Sequence, residues 1–510
     1  MKVALSVNDF LDRALQVFGD RVGVIDEPTV DDSLGELTYR DFGRRVRALQ
    51  AGLDELGVDV GERVAVVSPN SARLLELLFA VPGSGRVLVP VNFRLRAEEV
   101  EYIVDHSGAS VLLVDPSLEE LGTITAKHRF TLGTNSDEAL LRFDREPRRW
   151  EPDEDATATI NYTSGTTARP KGVQITHRNI WVNAVTFGLH AGVNDWDVYL
   201  HTLPMFHCNG WGMLYTAAGL GVPQVVLRKV DGTDILKRVE QHGVTFMCAA
   251  PAVVNAVLDA IKEWQGPIPG AGRATRVICA GAPPPTKTIE RIERDLGWEF
   301  CQIYGLTETS PLLTINRRRR EWADLPIEEV APKLGRAGSP ALGVRLDVSD
   351  AGEVLARSNV VLHGYWNQPE ATADALAGDW FHTGDGGWVD DEGYLSISDR
   401  KKDVIITGGE NVSSIEVEDC LYSLEGVAEC AVIGVPDEKW GETIKAIVVK
   451  APGSDVSEAD VIAHCKKKLA GYKSPTSIDF VDAIPRTATG KVQKFKLREP
   501  YWTGRDRQVN

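Results

Sequence analysis

Tyr162-Thr163-Ser164-Gly165-Thr166-Thr167-Ala168-Arg169-Pro170-Lys171-Gly172-Val173 is the stretch from which the rest of the chain can be read. Eight of its twelve residues are Gly, Ser, Thr, Pro or Lys, and no helical or strand period runs through it. Hydroxyls and backbone N–H groups at this density suit a polyanion better than a hydrophobic core. Lys171 adds a mobile positive charge of the kind that meets terminal phosphates. An ordinary Ser/Thr/Gly surface turn has the same composition, so the loop alone leaves both readings open. It is not a Walker A loop, because Pro170 stands where Gly is required before the lysine and Gly172 where Ser or Thr is required after it.

On either side of this loop the chain alternates strand and helix. Arg63 to Val67, Arg86 to Val91 and Ser110 to Asp115 are β-rich, with helical spacing at Ser71 to Ala80 and Glu98 to Asp105. The pattern resumes at Thr245 to Cys248, followed by a helix to about Ile261, a strand Arg276 to Ala280, a helix Lys287 to Leu296 and a strand Glu299 to Ile303. Such alternation with short loops predicts an α/β fold of parallel sheets covered by helices on both faces. Catalytic loops then lie at the carboxyl ends of strands, where Ala280-Gly281-Ala282 and Tyr304-Gly305 fall.

After Val344 short strands with Gly and Asp turns take over as far as Ser398, predicting a β-rich subdomain. The polar run Asp399 to Asp403 reads as a linker. Beyond it lies a mixed unit: helix Ile415 to Leu424, strands Val427 to Val435 and Ile444 to Val449, helix Glu458 to Leu469 and strand Ile478 to Val481. About 110 residues suffice for a small domain. The division expected is therefore a large N-terminal domain over 1–399 and a small α+β C-terminal domain over 400–510. The basic run Arg317 to Arg320 reads as a solvated loop, with a contact to coenzyme phosphates as the alternative.

With 510 residues the chain exceeds one core. A net charge of −17 argues against nucleic acid or an anionic membrane as main partner, so an anionic substrate needs a local basic site. The seven cysteines, Cys208, Cys248, Cys279, Cys301, Cys420, Cys430 and Cys465, include no Cys-x-x-Cys and read as reduced thiols of a cytoplasmic protein. No signal segment, spanning helix or terminal sorting motif is recognised. No Gly-x-Ser-x-Gly supports a serine hydrolase and no His-Glu-x-x-His a metalloenzyme.

Four further stretches complete a pattern: Tyr304-Gly305-Leu306-Thr307-Glu308, Thr383-Gly384-Asp385, Asp399-Arg400-Lys401-Lys402-Asp403 and Pro485-Arg486-Thr487-Ala488-Thr489-Gly490-Lys491. Together with the loop, and in this order across almost the whole chain, they resemble the AMP-forming adenylate ligases: acyl-CoA synthetases, peptide-synthetase adenylation domains and luciferases. The resemblance implies an ATP-dependent acid–CoA ligase that uses ATP, Mg²⁺ and coenzyme A, with a carrier-protein arm as the alternative acceptor. No carrier module is fused, since Asp32-Ser33-Leu34 lacks its helical context. Self-association into a homodimer is left open.

The resemblance also assigns roles. Thr163, Ser164, Gly165, Thr166, Thr167 and Lys171 hold the β- and γ-phosphates. Glu308 holds Mg²⁺, with Gly305 and Thr307 beside it, and Tyr304 stacks on adenine against a wall of Gly281, Ala282 and Pro283. Asp385 accepts from the ribose hydroxyls, with Arg400 as second contact. Lys491 lies between the acid's carboxylate and the α-phosphate. Lys402 is the hinge of a mobile cap; when it swings, Lys491 leaves and Gly408, Gly409 and Glu410 line a pantetheine tunnel. In Met205-Phe206-His207-Cys208-Asn209-Gly210-Trp211, His207 is the gate of the acyl pocket and Trp211 lies on its acyl side. That variant resembles ligases of short to medium acyl, arylalkanoic or methylthio-alkanoic acids. Two positions depart from the family pattern, Ala168 where Gly is usual and Gly386 where an apolar residue is usual.

Overall fold

The computed structural model describes residues 1–163, 169–273, 275–282, 284–400, 403–407, 410–437, 439–487 and 491–503, the side chains of Glu119, Asp399 and Arg400 excepted. Among the described residues the strands form four sheets. The first is nine-stranded. Parallel strands Val22–Ile25, Gln224–Val226, Tyr199–His201, Phe246–Ala249, Arg276–Cys279 and Glu299–Gly305 make its body. The second is seven-stranded. Its parallel body is Thr157–Thr163, Val87–Val91, Arg63–Val67, Ala109–Val114 and His128–Thr131.

Central strands such as Val87–Val91 and Phe246–Ala249 are apolar and buried at every position because both faces of the sheet are covered there. Successive side chains point to opposite faces. Phe246 and Cys248 accordingly enter the core between the two large sheets, while Met247 and Ala249 enter the core under the outer helices. Val64 and Val66 join that central core, and Ala65 and Val67 a third one against helix Ala97–Ser107. Capping fixes where helices begin: Ser71 Oγ accepts from Leu74 N before helix Ala72–Gly83, and Thr176 caps helix His177–Ala191 with Asn179 reciprocating.

The expectation of parallel sheets holds for the bodies but not the edges. Thr157–Thr163 and Lys171–Thr176 are antiparallel, as are Glu299–Gly305 and Leu312–Arg317. Both turnbacks are short connections, too short for the crossover that parallel pairing requires. Tyr162, Thr163 and Lys171 to Val173 thus belong to strands, not to an aperiodic loop. Of the basic run, Arg319 and Arg320 are exposed as expected, whereas Arg317 and Arg318 depart from the solvated loop. Arg317 pairs with Glu299 at 2.6 Å, and Arg318 pairs with Glu293 at 2.7 Å while donating to Leu325 O.

The third sheet is four-stranded and antiparallel, made of Arg345–Val348, Glu353–Arg357, Phe381–Val389 and Leu395–Arg400. Its last strand runs two residues into the expected linker, because Asp399 and Arg400 still pair with Gly386 and Asp385. The smaller C-terminal domain carries the fourth sheet, five-stranded around the long hairpin Val427–Asp437 and Gly441–Lys450. Helices Ser414–Tyr422 and Glu458–Lys468 cover it, burying Val417, Leu421, Val461 and Cys465 against Val432, Ile444 and Ala446. Full burial of side chains such as Leu421 and Ile444 stabilises by roughly 1.5–3 kcal/mol each. A last helix, Lys494–Trp502, was not anticipated from the sequence; it packs on Val427–Asp437, and Arg498 pairs with Asp403 at 2.6 Å. No helix among the described residues is long and apolar enough to cross a membrane, and all seven cysteines are free and buried.

Candidate active site

Parallel strands deliver their loops to one edge. Gly281 follows Arg276–Cys279, Tyr304 and Gly305 end Glu299–Gly305, and the His207 segment follows Tyr199–His201. Thr163 ends its strand opposite Lys171, so the two are register partners.

The His207 segment has unusual backbone. Cys208, Asn209, Gly210 and Trp211 all have positive φ, between 44° and 59°. Three of the four are not glycine, and each such residue costs about 1–2 kcal/mol. Buried side chains hold the turn. Asn209 Nδ2 donates to Thr159 Oγ1 at 2.9 Å, and Asn161 Nδ2 donates to Asn209 Oδ1 at 3.2 Å. Asn183 Nδ2 donates to Trp211 O, and Asn70 accepts from Met205 N while donating to the carbonyls of His201, Leu203 and Leu227. Thr159 and Asn161 lie on the strand that leads into the Ser/Thr/Gly loop, so this turn and that loop share one support.

His207 is partly exposed and Trp211 is buried in the central core. Desolvation, and then the charge of Lys491, lower the His207 pKa to about 3. Its ring is therefore neutral at any ordinary pH. Cys208 lies beside Thr307, its Sγ 4.0 Å from Thr307 O, and burial with the nearby Glu308 charge raises its thiol pKa.

Lys491 comes from the small domain yet sits in this group. A Cβ built on Gly281 would lie 3.7 Å from Lys491 Cε. Gly281 also has φ +96°, a conformation other residues rarely adopt. Lys491 N donates to Thr487 Oγ1 at 3.0 Å, which closes the local turn. Gly305 is required for a different reason: a Cβ there would come within 1.6 Å of Pro311 O.

Glu308 is half-buried, and its Oε1 accepts from Tyr365 OH at 3.1 Å. Lys171 Nζ lies 4.8 Å from the centre of the same tyrosine ring. Burial, then Glu308, raise the Tyr365 pKa, so its hydroxyl stays a donor. Tyr365 is thus a bridge that sequence reasoning missed; only the run Gly364-Tyr365-Trp366 could have signalled it. Tyr304 OH donates to Asp385 Oδ2 at 2.8 Å, joining two sequence-predicted residues. Asp385 is buried, its backbone N bonded to Thr383 Oγ1.

The structure thus gathers Lys491, Gly281, His207, Thr307, Glu308 and Lys171, and links Tyr304 to Asp385. Ala282 is exposed beside Gly281. Glu410 is exposed on the small domain's strand Glu410–Val412; among the described residues Lys491, and not Glu410, reaches Gly281. Ser164, Gly165, Thr166, Thr167, Pro283, Lys402, Gly408, Gly409 and the Arg400 side chain lie outside the described residues. Among the described residues no three His, Cys, Asp or Glu side chains group as a metal site.

Known proteins resemble this chain over almost its whole length. The family model of AMP-binding enzymes matches residues 11–366, and that of the AMP-binding enzyme C-terminal domain matches 416–491. A relative in Arabidopsis thaliana, named as a peroxisomal acyl-activating enzyme, is 37% identical over 96% of this chain and 94% of its own. A 2-methylpropanoate–CoA ligase of Humulus lupulus is 37% identical with the same coverage. The solved structure of an anthranilate CoA ligase in complex with anthranoyl-AMP superposes with a TM-score of 0.87, at 26% identity and 98% coverage of both chains. With family models matched over residues 11–366 and 416–491 and relatives 37% identical over 96% of its length, this chain is a member of the AMP-binding enzyme family.

Proposed function

We propose that the chain is an AMP-forming acid–CoA ligase whose gathered residues act in the roles assigned below. An oxygen of the acid's carboxylate attacks the α-phosphorus of ATP, the bond to pyrophosphate breaks, and acyl-AMP forms. The thiol of CoA, as thiolate, then attacks the acyl carbon and AMP leaves. The first step brings anion against anion, so its rate depends on positive charge placed at the developing phosphorane and at the leaving group.

One observation carries this reading: Lys491, from the small domain, stands beside Gly281 and His207 at the edge where Glu308 and Lys171 converge on Tyr365. Lys491 bridges carboxylate and α-phosphate, and Lys171 meets the departing phosphates. Tyr304 and Asp385, bonded to each other, take adenine and ribose. Glu308 has Tyr365 on one oxygen and suits Mg²⁺, a hard cation that completes its shell from water and substrate phosphates. Bound there, Mg²⁺ would neutralise phosphate charge. His207, neutral and held by the left-handed turn, faces the acid as a ring and not as a base. Trp211 behind it favours a hydrophobic or medium-size organic acid.

The domain boundary is proposed near residue 400, with Lys402 as pivot and Asp403, paired with Arg498, as the first residue of the moving body. Free buried thiols favour a reducing, cytoplasmic setting; localisation of a tagged chain separates it from the peroxisomal alternative that one relative raises. Sedimentation decides between monomer and homodimer. The activity itself is tested by supplying ATP, Mg²⁺, CoA and a panel of acids graded in length and ring content. Matched release of pyrophosphate, AMP and acyl-CoA is expected for some hydrophobic acids. Pyrophosphate release from none of them, or AMP without thioester, would overturn the reading.

A further inference from the structure

Lys491 reaches the site only while the small domain holds this orientation against the large one. Helix Thr286–Arg291 of the large domain begins five residues after Gly281, the residue that faces Lys491. Pro285 precedes this helix and supplies no side-chain cap. The cap comes instead from the small domain. Asp419, exposed on helix Ser414–Tyr422, accepts from Thr286 N at 2.9 Å through Oδ1 and from Thr286 Oγ1 at 3.2 Å through Oδ2. Both carboxylate oxygens are thus used on one residue, which fixes direction as well as distance. The pair is also open to solvent, where such bonds are weak enough to break on each turnover.

We propose that Asp419 and Thr286 form a latch that selects the adenylate-forming orientation of the small domain, and that the latch opens before thioester formation. Both are positioning residues, acting through the placement of Lys491. The inference rests on the ligase reading above. Its geometry makes one variant informative. Thr286→Pro removes both donors at the first helical position, where proline is favoured, and Pro285 already has the extended ψ of 141° that a residue before proline needs. Asp419→Ala removes both acceptors, and Thr286→Ser keeps both donors.

In single-turnover assays, Thr286→Pro and Asp419→Ala are each expected to slow pyrophosphate release by about three- to tenfold. Combining them should slow it no further, because they remove one interaction. Thr286→Ser should match the wild type, and CoA transfer from supplied acyl-adenylate should be unchanged or faster in every variant. Wild-type adenylation in both single variants, an equal fall in both half-reactions, or additive losses in the double variant would each overturn the latch. Hydrogen exchange tests it apart from activity: in substrate-free enzyme, Asp419→Ala should speed exchange of the Thr286 amide. Unchanged exchange refutes the latch, whereas a wild type that releases no pyrophosphate refutes the ligase reading instead.

Discussion

Lys491 and His207 are neighbours, and the different duties proposed for them should be separable in their variants. Lys491→Ala should abolish pyrophosphate release, yet leave CoA transfer from supplied acyl-adenylate largely intact, as single-turnover measurement of each half-reaction would show. Equal loss of both halves would remove the proposed role. For His207 the argument is about charge. Desolvation keeps its pKa at about 3, well below the ordinary 6.5. The range from pH 8 to 5 therefore lies above its titration. His207→Phe should change the KM for the acid but leave the shape of the pH–rate profile over that range unaltered. A limb near pH 6.5 that disappears in the variant would contradict this. That Lys491 would meet Gly281 and His207, and Tyr304 meet Asp385, is legible in the sequence only through short motifs whose residue types suit phosphate and ribose. Tyr365 is not legible, since it meets Glu308 at a sequence separation of 57 and a tyrosine has no fixed meaning there.

The turn over residues 207–212 shows how a local element depends on side chains from elsewhere. Asn209 holds φ 45°, which Asn tolerates better than Ala, and it exchanges hydrogen bonds with Thr159 and Asn161. Asn209→Ala should destabilise by about 2–4 kcal/mol, because two buried bonds are lost while their partners stay buried. Asn209→Gly should be milder by about 1 kcal/mol, since glycine accepts this backbone without strain. Denaturant midpoints measure both, and identical losses would show that backbone conformation contributes nothing. Nothing in Cys208-Asn209-Gly210-Trp211 announces a left-handed run, as the partners that impose it lie about fifty residues earlier. The doubly buried strands are the opposite case, readable as apolar runs because both their faces meet helices. The helix Lys494–Trp502 escaped because Pro500 sits inside it and its apolar residues have no clear period.

At the level of the whole molecule, the proposed alternation of two domains at one edge can be tested at its pivot. Lys402→Pro should spare acyl-adenylate formation and block thioester formation, because a fixed φ at the pivot prevents the swing. Wild-type rates in both half-reactions would remove the hinge. The two-domain division was legible from the change of pattern after Val344 and the polar run at 399–403. The contact between the domains was not, since Asp419 and Thr286 are ordinary residues that acquire meaning only when apposed. The seven concealed sulfurs have a practical corollary. Thiol-directed dyes should leave the native protein unstained, so a cysteine introduced on each domain would accept a fluorophore pair without removal of the native thiols. Distance changes within single molecules could then reveal directly whether the proposed swing occurs.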